Sequence, residues 1–249
     1  MSDNPKRRRD ARTFWRLTLA IVAPVPWLAL AVATIITPDN ARDDDTHAYA
    51  AIATHTARAG AALPFDGLFI MTLMPAIVAV LVACRRTAPA ATAWIGAITL
   101  VGAAAGPLVP TNTLIDYIGI RHGIAQPTVV AINDGIRSQP VSVVALVLFL
   151  LGVILGGRIL LGVLEWRSRI APRWMAVILI LSAPLDVFGP SGLAFHNDSG
   201  FASYLMTALA FAGASRALLR ARNEDFDVPP ADPEPAHGTD ETQAAAAIA

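Results

Sequence analysis

Residues 138–157 read SQPVSVVALVLFLLGVILGG, twenty residues without an ionisable side chain between Arg137 and Arg158. A helix rises about 1.5 Å per residue, so a run of this length covers the ~30 Å hydrocarbon core of a bilayer. The same reading extends outward along the chain. Arg16 and Asp39 enclose 22 uncharged residues, Asp66 and Arg85 enclose 18, Arg86 and Asp116 enclose 29, and Asp198 and Arg216 enclose 17. A sixth stretch, Trp174 to Leu193, is apolar except for Asp186 and has Arg173 before it and His196, Asn197 and Asp198 after it.

The expected spans are residues 17–36, 67–84, 88–109, 141–163, 174–193 and 200–219. Backbone inside a bilayer must satisfy its own hydrogen bonds, and these runs are too long and too evenly apolar for the alternating strands of a barrel. The sequence therefore predicts an all-α, polytopic transmembrane helix bundle with six spans. Residues 1–16 form a basic cytoplasmic N-terminus, 17–219 the membrane domain, 37–66 and 110–140 its outer loops, and 220–249 a disordered acidic cytoplasmic tail.

Orientation follows from Lys and Arg, which short cytoplasmic loops retain. Alternate segments starting at the N-terminus hold 15 of the 19 basic residues, with Arg158, Arg167, Arg169 and Arg173 assigned to the connection between spans four and five. The other segments hold Arg42, Arg58, Arg121 and Arg137. Both termini are thus expected in the cytoplasm, and the location is the plasma membrane. Trp15, Trp94, Trp166 and Trp174 fall near the inner boundary, where an amphipathic indole is favoured, whereas Trp27 falls inside a span. The first apolar run is long for the core of a cleaved signal, which argues for its retention.

Composition agrees. The chain is 55% hydrophobic and 15% charged with a formal charge of zero, against roughly 25% charged residues in an ordinary soluble domain. This balance excludes a disordered or nucleic-acid-binding protein, and a lone cysteine, Cys84, excludes an internal disulfide. The partners to expect are the lipid bilayer and either a second copy or another membrane protein. The small-molecule ligand is unknown, and no cofactor is implied.

Three segments outside the spans are large. After Arg222 the chain has seven acidic residues, no basic one and four prolines, the composition of a solvated tail. Asp43 to Ala62 predicts a short helix, capped by the Asp cluster and running to Gly60 and Pro64. In 111–140, Leu114, Ile115 and Ile118 share a helical face and Val129, Val130, Ile132 and Ile136 come after them, so this loop is expected to pack on the bundle or the lipid and to join the first as a lid. Within the spans, Gly102 with Gly106 and Gly152 with Gly156 have the spacing of close helix approach, read first as packing within one chain. Pro24, Pro26, Pro75, Pro107 and Pro184 are expected to bend or interrupt their helices.

The candidate intramembrane polar site is Asp186, about 18 Å along its helix from Trp174. It must be protonated, paired or open to water. Two readings stand: a proton or cation site, or a carboxylate bonding backbone amides freed by Pro184, Gly189 and Pro190. A weaker outer-face cluster consists of Asp43, His47, His122, His196 and Asp198. Asp43 and His47 have i,i+4 spacing, yet His47 and His55 lie off a common face and no metal-binding motif is present. No histidine lies in mid-span, which argues against haem held between helices. Gly189-Pro190-Ser191-Gly192 has the spelling found around the nucleophile of rhomboid-type proteases, without a histidine on the following span to act as base. No catalytic, cofactor or metal residue is therefore assigned.

The run from Leu148 to Gly189, with its Gly-rich span, Arg-containing turn and Pro172-Arg173-Trp174 step, resembles a pattern in uncharacterised bacterial, especially actinobacterial, multi-span membrane proteins. Arg12 to Leu17, the helix before span two and the segment Arg216 to Arg220 are similar too, so the resemblance covers most of residues 12–220. It implies a six-span integral membrane protein and carries no activity with it. The leading expectation is a non-enzymatic structural, sensing or accessory component. The alternatives are a small-solute or proton-coupled transporter using Asp186 and a membrane enzyme with an outer His/Asp site.

Overall fold

The computed structural model describes residues 11–38, 45–109, 112–188 and 197–223. Every regular element among them is helical. The helices are α1 (Ala11–Val22), α2 (Val25–Ile36), α3 (Asp45–Thr54), α4 (Thr56–Cys84), α5 (Pro89–Ala105), α6 (Asn112–Arg121), α7 (Gln126–Arg137), α8 (Pro140–Phe149), α9 (Gly156–Ser168), α10 (Arg173–Phe188) and α11 (Asn197–Arg220). Five helical stretches are long and apolar enough to cross a membrane: Ala11–Ile36, Thr56–Cys84, Pro89–Arg121, Pro140–Ser168 and Gly200–Arg220. The expected span at 174–193 is represented by the 16 residues of α10, and its last part lies outside the described residues.

Proline acts differently at different positions. Pro24 has no N–H to donate back along the helix, and α1 and α2 separate around it. Pro89 and Pro140 occupy first-turn positions of α5 and α8, where a missing donor costs nothing. Pro64 and Pro75 sit within α4 and Pro184 within α10 without ending either helix. Pro107 marks the change from α5 to a 3₁₀ turn at Gly106–Leu108.

Trp27 of α2 is the centre of the core. Its ring meets Phe69 of α4 and Phe211 of α11 edge-on at 5.7 and 5.8 Å and stacks near Tyr204 of α11 at 6.3 Å. Such pairs add to the burial of area because ring edges and faces carry opposite partial charge. Trp15, Trp94, Trp166 and Trp174 are exposed. The described ends of the chain meet: Arg16 donates to the Ala221 carbonyl, and Asn223 donates to Thr13 Oγ1 at 2.9 Å.

At the far end of α4, helices α3, α6 and α7 pack together as a helical cap. Ile52 and Ala59 are buried with Tyr117 and Ile120 against them. Asn133 donates to Asp116 at 2.8 Å, both side chains buried, and Tyr49 and Gln126 donate to the Ile124 and Thr46 carbonyls at 3.1 Å each. One expectation needs correction here. The helix from Asp43 was to run to Gly60 and Pro64, but it breaks at His55 and α4 passes through both residues. Thr54 and Thr56 turn their hydroxyls onto the Ala50 and Ile52 carbonyls beside the break, a local competition with helical pairing. Gly60 is instead a packing residue, since a Cβ there would lie 2.8 Å from the Tyr117 ring. Helix α6 buries Asp116 and leaves Leu114 and Ile118 exposed.

The glycine stripes close one seam. A Cβ on Gly102 of α5 would lie 2.6 Å from the Gly152 Cα, and one on Gly152 would lie 2.7 Å from the Gly102 Cα. The two backbones touch, an approach available only where both residues lack side chains. Gly102→Ala is expected to lower thermal stability by about 1–3 kcal/mol through overpacking. At Gly67, where a Cβ would meet nothing within 4 Å, Ala should stabilise by roughly 0.5–1 kcal/mol. Unfolding of the two variants in one detergent checks this, and equal effects would contradict the seam.

Candidate functional site

The polar centre of the bundle lies where α9, α10 and α11 meet α2. Helix α8 leads into α9 through a π turn at Leu150–Ile154, closed by the Leu155 N–H on the Leu150 carbonyl at 2.8 Å. The wider turn inserts a residue and re-phases the helix beyond it, so that Arg158, one turn on, faces inward. Its side chain is wholly buried.

Each guanidinium nitrogen of Arg158 has an acceptor. Nε donates to the Ile154 carbonyl at 2.6 Å. Nη1 donates to Ser203 Oγ at 2.8 Å, with the Ser182 carbonyl and Thr207 Oγ1 each at 3.4 Å. Nη2 is ion-paired with the Asp186 carboxylate. The cation also lies 5.3 Å from the centre of the Trp27 ring and 5.8 Å from that of Tyr204, within the range of cation–π attraction. Around it Ser203 donates to the Ser182 carbonyl at 2.8 Å, and Thr207 Oγ1 lies 3.0 Å from Ser182 Oγ. One arginine thus links four helices.

Asp186 is the residue the sequence singles out, and its side chain keeps 9% of its surface exposed. Of the three conditions expected of Asp186, pairing is the one observed. Arg158 requires a correction: the charge count places it in a polar connection, but it lies inside the helical stretch Pro140–Ser168 and is buried. The signal was present, because Arg158 falls within residues 141–163, the fourth expected span. A cation in one apolar helix and a carboxylate in the next lower each other's cost by meeting.

The outer-face cluster is not assembled among the described residues. His47 and His122 are exposed side chains of the cap. Asp43 and His196 lie outside the described residues, as do residues 189–192, and Asp198 is placed in α11 without a described side chain. No group of three or more His, Cys, Asp or Glu that could hold a metal occurs among the described residues. Chemically, the centre is a closed electrostatic clamp: the guanidinium has its acceptors within the chain, and the hydroxyls beside it bond to carbonyls or to one another.

No family model, curated protein or solved structure matches this chain.

Removing one partner of the clamp leaves a buried charge alone. Arg158→Met and Asp186→Leu should each destabilise the protein by about 3–5 kcal/mol, whereas the double variant should recover most of the loss. Denaturation in mixed micelles measures the coupling, and strictly additive losses would show that the two groups act independently.

Proposed function

We propose that the chain is a multi-pass plasma-membrane protein without catalytic activity, serving as a structural, sensing or accessory component whose bundle is locked by the Arg158–Asp186 clamp. The observation carrying this reading is the saturation of Arg158: all three nitrogens are engaged and two aromatic rings flank the cation. A guanidinium in that condition has little to offer a passing solute. It fixes instead how α2, α9, α10 and α11 sit together.

Six passes with both termini in the cytoplasm is the topology we assign. The contacts of Arg16 with Ala221 and of Thr13 with Asn223 support an even number of crossings, because they bring the two ends of the described chain to one side of the bundle. The basic residues Arg12, Arg16, Arg216 and Arg220 then share the face that positive charge favours. The bilayer is the first partner on this reading. The apolar side chains exposed on α5 and α8, among them Ile98, Val101, Val144 and Leu151 of the adjoining π turn, are suited to lipid or to a neighbouring membrane protein.

The competing reading is transport through Asp186. Purified full-length protein in sealed vesicles under a proton gradient is expected to dissipate it no faster than protein-free vesicles. A protein-dependent flux abolished by Asp186→Asn would overturn the non-transporting assignment and make the ion pair part of a path.

A further inference from the structure

Helix α9 carries a second buried ionisable group that the clamp does not use. Glu165 lies seven residues after Arg158, two turns along nearly the same face and about 10 Å nearer the end of the bundle where the chain termini meet. It is 1% exposed, and neither carboxyl oxygen has a hydrogen-bond partner among the described residues. Beside it are the buried thiol of Cys84, at the end of α4, and Ser168.

Among the described residues, the surroundings offer no counter-ion. On α4, Cys84 is the titratable neighbour, and Arg85, which follows it just beyond the helix, has an interaction of its own. Helix α5 has no ionisable residue. On α10, Arg173 turns over the Trp166 ring at 5.4 Å, and Asp186 is taken by Arg158. On α11, Arg216 and Arg220 are exposed. On α9 itself, Arg167 is exposed, as is Arg169 just beyond its end. A carboxylate enclosed without donor or cation is among the most unfavourable groups a protein interior can hold, and a neutral acid removes that cost.

We propose that the α4–α9 corner at Glu165 is a proton-binding site, the carboxyl holding one proton beside Cys84 and Ser168. A Glu165 oxygen takes the proton from hydronium, one O–H bond forms and water is released. Ser168 ends α9 one turn away, so exchange runs to the water at that end of the bundle. The ligand is a proton rather than a metal, since Glu165 and Cys84 alone are too few ligands to hold one. The site goes beyond the clamp and stands whether or not the clamp reading does.

Isotope-edited infrared spectroscopy of the full chain in lipid nanodiscs tests this without a variant. With glutamate labelled by ¹³C at the side-chain carboxyl, the folded protein at neutral pH should show a protonated-carboxyl band that shifts with the label. Glu165→Gln, which mimics the neutral acid in size and polarity, should fold and lose that band completely, separating Glu165 from Glu224, Glu234 and Glu241. Asp186→Asn should keep it. Labelled wild-type protein showing ionised carboxylate bands alone would overturn the proposal, and so would a band that persists in Glu165→Gln.

Discussion

An arginine with no exposed surface is costly to bury anywhere, and more so among apolar helices. The pairing of Arg158 with Asp186 is the constraint to which the rest of the bundle conforms. It brings α9 and α10 together at one register, because the guanidinium must reach a carboxylate near the other end of the neighbouring helix. It requires Ser203 and Thr207 of α11 to present hydroxyls at the same level. It also requires aromatic faces at its flank, which α2 and α11 supply as Trp27 and Tyr204.

The core and the clamp are therefore one construction. Trp27 stacks with Tyr204 and packs edge-on to Phe69 and Phe211 while lying beside the cation. Packing alone tolerates slippage between helices whose surfaces are all apolar, and a single ion pair with directional hydrogen bonds does not. The Gly102–Gly152 seam brings α5 against the π turn that sets the phase of α9. Close backbone packing on one side and a polar lock on the other thus hold the same helix.

Much of the helical organisation was legible from the intervals between charges. Lipid-compatible helices must exclude ionic side chains over about 20 residues, and the runs bounded by Arg16, Arg85 and Arg137 mark helical stretches in the structure. Trp27 stood apart from the other tryptophans in sequence and is the one that is buried. Asp186 was recognisable because a lone carboxylate in an apolar run demands an explanation. Its partner was missed because counting basic residues for orientation treats each arginine as polar surface, although Arg158 lay inside an expected span. The continuation of α4 through Gly60 and the buried face of α6 were not legible either. Both depend on what a residue meets across the cap: the Tyr117 ring fills the space at Gly60, and Asn133 draws Asp116 inward.

The most direct test of the central claim is a distance. Solid-state NMR recoupling between ¹⁵N-labelled arginine guanidinium groups and ¹³C-labelled aspartate carboxyls, on the full chain in lipid, reads the Arg158–Asp186 contact without altering it. The account predicts a dipolar coupling corresponding to an ion pair within about 4 Å, resolved from mobile surface pairs by its rigidity and absent from protein carrying Asp186→Leu. A rigid Asp186 carboxyl with no guanidinium nitrogen near it would contradict the account.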